Sequence, residues 1–363
     1  MTANEIARTR LAVHQLANKQ PHTSHSLVAH MGVVQAQDYA MAKWAIALRL
    51  QAAAETQVED TFSRGNILRT HILRPTWHFV APDDIRWMLA LTAPRIKSQI
   101  RSRRKELDIT PQLLAHSQDS MAQAIEQRGH LSRDELDTVL AEAGIKVDKS
   151  QLYHLLLGAE LDALICSGAP RGKVQTYALM TERVKGQQDM TQEAALTALA
   201  QRYFASHGPA TVSDFAWWSG LGVRLARQAH ETIRQQLLSF EAEGLTFWTA
   251  PMQRTPAAPG SVILLPAYDE FLLGYKESRG ITVDKAYQKA ISFNGVFRPV
   301  VLLDGRVVGI WKRKLSKTKV SIDCQYFESI GSANEKKAEL AAEAFGQFAG
   351  LSVEFKQSRS DKI

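Results

Sequence analysis

The order of helix signals along the middle of the chain constrains the fold most strongly. A helix predicted over 111–127 begins with a Thr-Pro pair and ends at a glycine. Ser132 with Glu135 three residues later forms a capping box for a second helix over 133–142. Ser150 is expected to cap a third helix, in which leucines repeat at helical spacing.

A strand, a turn-rich tip and a second strand follow the third helix. The strands are predicted over 163–166 and 174–179, and the tip between them carries Arg171 and Lys173. Three short helices followed by such a hairpin are typical of a winged helix, with the hairpin as the wing. We therefore expect Arg171 and Lys173 to contact DNA.

The same order recurs twice more. In the next copy, helices are predicted over 192–206 and 223–240, and a short helix between them begins at Thr211. A wing strand is predicted from Leu245. The phrases GHLSRDEL at 129–136 and GPATVSDF at 208–215 occupy the same place in the two copies. The N-terminal part can hold another copy, which would comprise helices over 5–16, 26–31 and 38–50 and β-rich sequence over 69–80.

The C-terminal part has a different character. Apolar strands are predicted over 261–266 and 319–327, a hairpin with an Asp-Gly turn over 300–311, and a last helix over 334–348. The predicted fold is α+β, with tandem winged-helix (helix-turn-helix plus β-wing) units and a C-terminal β-rich unit. The predicted domains are 1–108, 109–188, 189–255 and, after a Pro- and Gly-rich linker at 256–260, 256–363.

The charge of the chain favours a polyanionic partner. Its 44 Lys and Arg against 37 Asp and Glu give a net charge of +7, and basic residues cluster over 97–105 and 312–319. The hairpin that carries Arg306, Lys312 and Arg313 could press into a DNA groove, or it could be a solvated face. The sequence has neither an apolar stretch long enough to cross a bilayer nor the apolar core of a signal peptide, so we expect a cytoplasmic, nucleoid-associated protein.

Several familiar sites are missing from the sequence. It contains no glycine-rich nucleotide-binding loop and no GxSxG nucleophile elbow. His22, His25 and His30 lack a matching set of Cys or carboxylate ligands, so we predict no metal site, and no cofactor is expected. Asp269 and Glu270 lie in an apolar context, for which a structural role is the leading interpretation.

The segment 32–38 stands out chemically. Two valines favour extended backbone, so the amides of Gln35 and Gln37 would point to the same side of a strand, and Asp38 would then cap a helix. One interpretation is a pair of surface glutamines. The other is a pair of amides that converge on one small target.

Four phrases across the chain resemble the AlkZ and AlkX (YcaQ) family of bacterial DNA glycosylases, which are tandem winged-helix proteins. These phrases are VVQAQ at 33–37, LRPTWHFV at 73–80, LLPAYDEFLLGY at 264–275, and NGVFRP at 294–299 with GIWKR at 309–313. The family motif is Gln, apolar residue, Gln in the AlkZ branch and ends in Asp in the AlkX branch. Gln37 therefore indicates the AlkZ-like branch, whereas Pro75 departs from a common glycine.

The resemblance implies an enzyme that hydrolyses the N-glycosidic bond of N7-alkylated purines in double-stranded DNA, with interstrand crosslinks as possible substrates. It implies that Gln37 positions and polarises a water and that Gln35 orients the water or the substrate. His78 and Thr76 are expected to face the same cleft, with Trp77 and Phe79 on the other side; for His78, a packed histidine is the alternative. Arg69, Arg74 and Arg298 are expected to contact DNA, although Arg69 and Arg74 could equally be solubilising surface residues.

Two other functions fit parts of the sequence. A non-catalytic transcription regulator would also use winged helices, but regulators usually present one such unit per subunit of a symmetric dimer. A protein-interaction scaffold would leave the basic hairpin without a role. Because the repeat supplies within one chain what a dimer would supply, we expect a monomer.

Overall fold

Three copies of one arrangement of helices and short strands follow each other along the chain. The computed structural model describes residues 1–20, 22–186, 190–251, 256–283, 290–292 and 295–359. It begins with helix α1 (Ala3–Val13), which Thr2 caps. The first winged helix, unit 1, then comprises α2 (Ser24–Met31), β1 (Val33–Gln35), α3 (Tyr39–Ala47), α4 (Glu55–Ser63), β2 (Leu68–His71) and β3 (Trp77–Val80).

Units 2 and 3 repeat this order. Helices α5 (Pro82–Gln99) and α6 (Arg101–Glu106) lead to unit 2, which comprises α7 (Pro111–Arg128), β4 (Leu131–Ser132), α8 (Arg133–Glu142), α9 (Lys149–Leu161), β5 (Ile165–Ser167) and β6 (Thr176–Leu179). After α10 (Met180–Arg183), unit 3 comprises α11 (Gln192–His207), α12 (Val212–Ser219), α13 (Val223–Ile233), β7 (Leu238–Ala242) and β8 (Leu245–Thr249).

The second wing strand is the central strand of each copy. The strand orders are β1-β3-β2 and β4-β6-β5 in units 1 and 2. In unit 3, an isolated bridge between Ala210 and Trp248 takes the place of the first pairing, beside the β7–β8 hairpin. The segment that contains Gln35 is therefore the short strand between the first two helices of a winged helix.

The C-terminal part forms a mixed sheet covered by a helix. Its elements are β9 (Val262–Leu265), α14 (Glu270–Leu273), β10 (Val300–Leu303), β11 (Arg306–Leu315), β12 (Lys319–Tyr326), α15 (Ser332–Ala349) and β13 (Ser352–Arg359). The sheet order is β13-β12-β11-β10-β9, with only the β12–β13 pair parallel. The predicted Asp-Gly turn is present, since Asp304 and Gly305 both have positive φ.

Two hydrophobic cores cross the boundaries between the units. Val33 and Leu68 of unit 1 share a core with Phe215 and Trp218 of unit 3. Trp44 of α3 packs on the α15 side of the C-terminal sheet, and its indole N–H donates to the carbonyl of Leu264. The predicted domain boundaries at 108, 188 and 255 stay a prediction, because these shared cores join the units rather than separate them.

The fold class is the predicted one, and the sequence prediction was wrong in several details. The helices of unit 1 are α2, α3 and α4; α1 lies outside the unit, where Arg10 donates to the carbonyls of Pro209 and Ser278. Asp148, rather than Ser150, caps α9 through bonds to Ser150 and Gln151.

The predicted helix over 223–240 ends early because the wing of unit 3 already begins at Leu238. Glu243 and Gly244 both have positive φ, so they form the hairpin turn and not a helix end. The sequence prediction also lacked helix α4 and strand β13. Among the described residues, no helix is long and apolar enough to cross a membrane.

Candidate active site at the junction of three units

The segment with the two glutamines is held by strand β3 and by the side chain of Arg69. Gln35 lies opposite His78 on β3, and the N–H of Ala36 donates to the carbonyl of Trp77 at 2.7 Å. Arg69 donates from Nε to the carbonyl of Ala36 at 3.1 Å, and its guanidinium carbon lies 4.3 Å from the Trp77 ring centre. Two contacts within unit 1 therefore hold the backbone around Ala36.

The register of the sheet places three polar side chains in one row. Gln35, His78 and Thr70 are successive partners across β1, β3 and β2, so their side chains share one face. Phe79 and Arg69 lie on the opposite face, where Phe79 enters the core. The predicted separation of His78 from Phe79 is thus observed, and Thr70, which the sequence analysis did not single out, joins the row.

The two glutamines differ in exposure. Gln35 is 8% exposed, whereas Gln37 lies on the surface two residues beyond it. The Oε1 atom of Gln37 accepts a long hydrogen bond of 3.4 Å from the N–H of Trp77. Gln35 is thus an inner amide and Gln37 a rim amide, and their convergence on one target stays a proposal.

Several buried polar atoms around this row have no hydrogen-bond partner among the described residues. They are Gln35 Oε1, Thr70 Oγ1, Arg74 Nε and Nη2, Thr76 Oγ1 and His78 Nε2. A buried polar atom without a partner costs free energy, so such groups cluster where a ligand or water binds. Five side chains from one small sheet and the turn between its strands make this the most conspicuous cluster of unsatisfied groups in unit 1.

His78 is held in one tautomer. Its Nδ1 donates to the carbonyl of Thr76 at 2.8 Å, which leaves Nε2 as an acceptor. Burial, reinforced by the positive charge of Arg74, lowers the pKa of His78 to about 3. The imidazole is therefore neutral at physiological pH and cannot serve as an acid there.

A buried carboxylate from the C-terminal part supports the segment from below. Glu270 Oε1 accepts from the backbone N–H of Gln35 at 2.8 Å, and Oε2 accepts from the indole N–H of Trp218 at 3.0 Å. Burial opposes ionisation, but His207 at 3.8 Å and the cation of Arg74 outweigh it and lower the pKa of Glu270 to about 2. The sequence prediction of a structural role for Glu270 missed this contact with Gln35.

Unit 3 closes the site through a glycine. Gly220 has φ +66°, and a Cβ at this position would lie 2.1 Å from the carbonyl oxygen of Leu73. Only glycine permits this approach. It brings the turn that carries Arg74 against α12, where the guanidinium carbon lies 5.8 Å from the ring centre of Trp217.

The other predicted DNA contacts lie elsewhere. Arg171 and Lys173 are exposed at the wing tip of unit 2, where Arg171 pairs with Glu135, and Arg298 is exposed before β10. Arg306 donates to Asn4 of α1 beside the Asp-Gly turn. Lys312 and Arg313 lie farther along the same strand β11, where it pairs with β12, and their contact with DNA stays a prediction.

The remaining sequence candidates have structural partners. Asp269 forms a buried double hydrogen bond with Arg49 and caps α14, as expected for a structural residue. The His22 and His30 rings stack at 5.7 Å, while His25 faces Asp83. Within the described ranges, no group of three His, Cys, Asp or Glu side chains is arranged to hold a metal ion.

Comparisons with known proteins agree on one family. The family description "DNA glycosylase AlkZ-like" matches residues 28–348. A curated relative, the "Interstrand DNA cross-link repair glycosylase" of Streptomyces sahachiroi, is 27% identical over 310 residues, which cover 81% of this chain and 82% of that protein. The solved structure of Streptomyces sahachiroi DNA glycosylase AlkZ is similar with a TM-score of 0.82 and 21% identity, covering 99% of this chain and 100% of that one.

Proposed function

The chain belongs to the AlkZ-like family of DNA glycosylases, and on this premise we propose that it hydrolyses the N-glycosidic bond of N7-alkylated purines at the site around Gln35 and Gln37. The observation that carries the proposal is the row of unpaired buried acceptors beside a rim amide. Hydrolysis needs a water held near C1′ of the sugar, and neutral acceptors can hold it without burying a second charge.

We assign the two O–H bonds of the attacking water to the two glutamines. Gln37 Oε1 has a free lone pair beyond its long bond to Trp77 and lies at the surface, where it can meet DNA. Gln35 Oε1 is the inner acceptor, with His78 Nε2 beside it and Thr76 Oγ1 nearby. In this assignment Gln37 positions and polarises the water, while Gln35 fixes its orientation.

Glu270 acts through Gln35 as a positioning residue. Its carboxylate holds the backbone N–H of Gln35 and places a negative charge behind the site. Positive charge develops on the sugar as the glycosidic bond breaks, so a fixed anion on this side favours the transition state. The neighbouring cation of Arg74 helps to keep the carboxylate ionised.

The protonation states of His78 and Glu270 restrict the class of lesion that the site can release. His78 is neutral and Glu270 is ionised at physiological pH, so neither can protonate a departing base. An N7-alkylated purine already carries a positive charge and leaves without an acid. We therefore propose that the enzyme excises cationic lesions and spares lesions that must be protonated to leave.

Contacts outside the site would hold the duplex. We propose that Lys312 and Arg313 of the basic β11–β12 hairpin, with Arg298 and the Arg171 and Lys173 wing tip, bind phosphates. Arg69 is better placed to fix the Ala36 carbonyl than to reach DNA. With three winged helices in one chain, we propose a monomer that works on the nucleoid in the cytoplasm.

The name of the Streptomyces relative extends the proposal to interstrand crosslinks. The exposed position of Gln37 is consistent with a site that accepts a base still tethered to the opposite strand, because a crosslinked base cannot be flipped into a closed pocket. We propose crosslinked N7-alkylguanine as a second substrate of the same site.

Release of free base tests the function. The full chain is incubated with duplexes that carry N7-methylguanine, a guanine–guanine N7 crosslink, or hypoxanthine, and free base and alkali-labile sites are measured. We expect release from the first two and none from hypoxanthine. Sequence-specific binding without release of any base would overturn the proposed glycosylase activity in favour of a transcription regulator. Release of hypoxanthine would overturn the restriction to cationic bases.

A further inference from the structure

A cavity of about 650 Å³ lies where α5, α6 and α7 meet. It shares no residue with the site around Gln35. Its lining combines the basic side chains of Lys97, Arg101, Arg104 and Lys105 with apolar side chains that include Pro94 and Leu114. This is the basic run of the sequence at 97–105, for which the glycosylase site provides no use.

The cations of this cavity are largely unpaired. Arg104 Nε and Nη2 are buried without a hydrogen-bond partner among the described residues. Lys97 pairs with Asp162, whereas no ion pair is found for Arg101 or Lys105 within the described part of the chain. One acidic side chain, Asp108, also lines the cavity, so a positive charge remains to be balanced.

A glycine of α9 lies directly against two of the side chains that line the cavity. A Cβ at Gly158 would lie 2.6 Å from Leu114 Cδ1 and 2.9 Å from Arg104 Nη2. The absence of a side chain at this position lets the leucine and the guanidinium both lie directly on the helix backbone. An apolar group and a cation are therefore held side by side before any ligand arrives, which reduces the entropic cost of binding.

We propose that this cavity binds a small organic anion with an apolar body, such as an aryl or alkyl phosphate. Its volume lies within the range of small-molecule sites, about 300–1,000 Å³. The half-buried guanidinium of Arg104 would meet the anionic group, and the side chains of Pro94 and Leu114 would cover the apolar body. A duplex would contact the exposed Arg101 and Lys105 and would leave Pro94 and Leu114 uncovered.

Calorimetry with three probes tests the site on the full chain. The probes are 1-naphthyl phosphate, 1-naphthol, which lacks the anion, and inorganic phosphate, which lacks the apolar body. We expect one molecule of naphthyl phosphate to bind about tenfold or more tightly than either partial probe, since a charge-assisted contact and a buried ring each add at least that factor. Equal binding of naphthol and naphthyl phosphate would overturn the proposal, as would no binding at all.

Variants on one short helix locate the binding. Arg104→Gln is expected to weaken naphthyl phosphate about tenfold or more, whereas Arg103→Gln, which removes an exposed arginine paired with Glu106, should leave it unchanged. Lys105 is an exposed residue that also lines the cavity. If Arg104→Gln does not fold, Lys105→Gln tests whether the positive charge of the cavity contributes to binding. Equal losses in Arg103→Gln and Arg104→Gln would refute the location.

Competition with DNA separates the cavity from the DNA path. Undamaged duplex is added to the naphthyl phosphate complex at the concentration that saturates the protein. We expect both to bind together. Displacement of the probe by duplex would overturn a small-molecule site, because it would make the cavity part of the DNA interface. Glycosylase activity has no bearing on either outcome, so the proposal stands or falls independently of the proposed function.

Discussion

The carboxylate of Glu270 accepts a hydrogen bond of 2.8 Å from the backbone N–H of Gln35, although 235 residues separate them in the sequence. This bond ties the C-terminal part to the glutamine segment of unit 1. The indole of Trp218 donates to the other oxygen of the same carboxylate and brings in unit 3. One buried anion thus links three parts of the chain beneath the candidate site.

Glu270→Gln is expected to slow base release and leave DNA binding nearly unchanged. The substitution keeps one acceptor, which can serve the N–H of Gln35, but it removes the charge and the acceptor for the indole N–H of Trp218. Single-turnover release should therefore fall about tenfold or more. The Glu270→Gln variant should bind a lesion-containing duplex with a dissociation constant within about twofold of that of wild type.

Glu160→Gln is the matched control. Glu160 is an equally buried glutamate beside a histidine, His71, which lies on the opposite face of the unit 1 sheet. It should lower thermal stability without slowing base release in the folded protein. If both variants slow release equally, Glu270 contributes only to folding and its assignment as a positioning residue fails.

The rate of N7-methylguanine release should be flat between pH 5.5 and 8. His78 has a pKa of about 3, so it stays neutral throughout this range, and Glu270 stays ionised. A plot of the single-turnover rate against pH in which the rate changes about tenfold per pH unit on one side of pH 6.5 would contradict the buried, neutral state of His78.

The same depressed pKa predicts acid-labile folding. His78 binds its proton more tightly in the unfolded chain, so the stability that comes from burying it neutral is present above pH 6.5 and is lost as pH falls toward 3. Urea unfolding at a series of pH values should show the free energy of unfolding decreasing over this window. A free energy that rises on acidification would have the wrong sign.

Gly220→Ala should destabilise the protein more than glycine loss alone explains. Gly220 and Gly350 both end a helix in the left-handed conformation, at φ +66°, but a Cβ would meet the Leu73 carbonyl at the first and no atom within 4 Å at the second. Gly350→Ala should cost about 1–2 kcal/mol. Gly220→Ala should cost about 1–3 kcal/mol more, because the junction of units 1 and 3 must open. If urea unfolding gives the same loss of unfolding free energy for Gly220→Ala and Gly350→Ala, the close approach of Gly220 to Leu73 does not contribute to stability.

Lys312→Gln should weaken binding to any duplex, damaged or not. A phosphate contact adds about one unit to the salt slope of binding, so the slope of log affinity against log salt should fall by about one. Arg128→Gln replaces an exposed arginine of unit 2 that pairs with Glu142, and it should leave the slope unchanged. An unaltered slope in Lys312→Gln would remove the β11–β12 hairpin from the DNA interface.

Local signals were sufficient to predict the winged helices of the middle region. Thr110, Ser132 and Thr211 each accept a backbone N–H at a helix start, as their side chains and spacing indicate. Such signals act within a few residues, which is why they can be interpreted without the fold. They misassign an element when turn and helix chemistry overlap, as at Glu243 and Gly244.

The site itself was predictable only in part. Gln35 and His78 are in one unit, and alternation along their strands places both on one face. Glu270 and Gly220 reach this face from other units, and no sequence spacing specifies that packing. The phrase that contains Glu270 contributed to the family resemblance, but its direct contact with Gln35 became visible only in three dimensions.

Base release by a Gln37→Ala variant decides whether Gln37 takes part in catalysis. The variant and wild type are compared in single-turnover release of N7-methylguanine, with Gln127→Ala, an exposed glutamine of α7, as the control. We expect the rate of base release to fall about 100-fold or more in Gln37→Ala, while duplex binding is retained. The rate for Gln127→Ala should equal that of wild type. Full release by a folded Gln37→Ala variant that still binds DNA would contradict it.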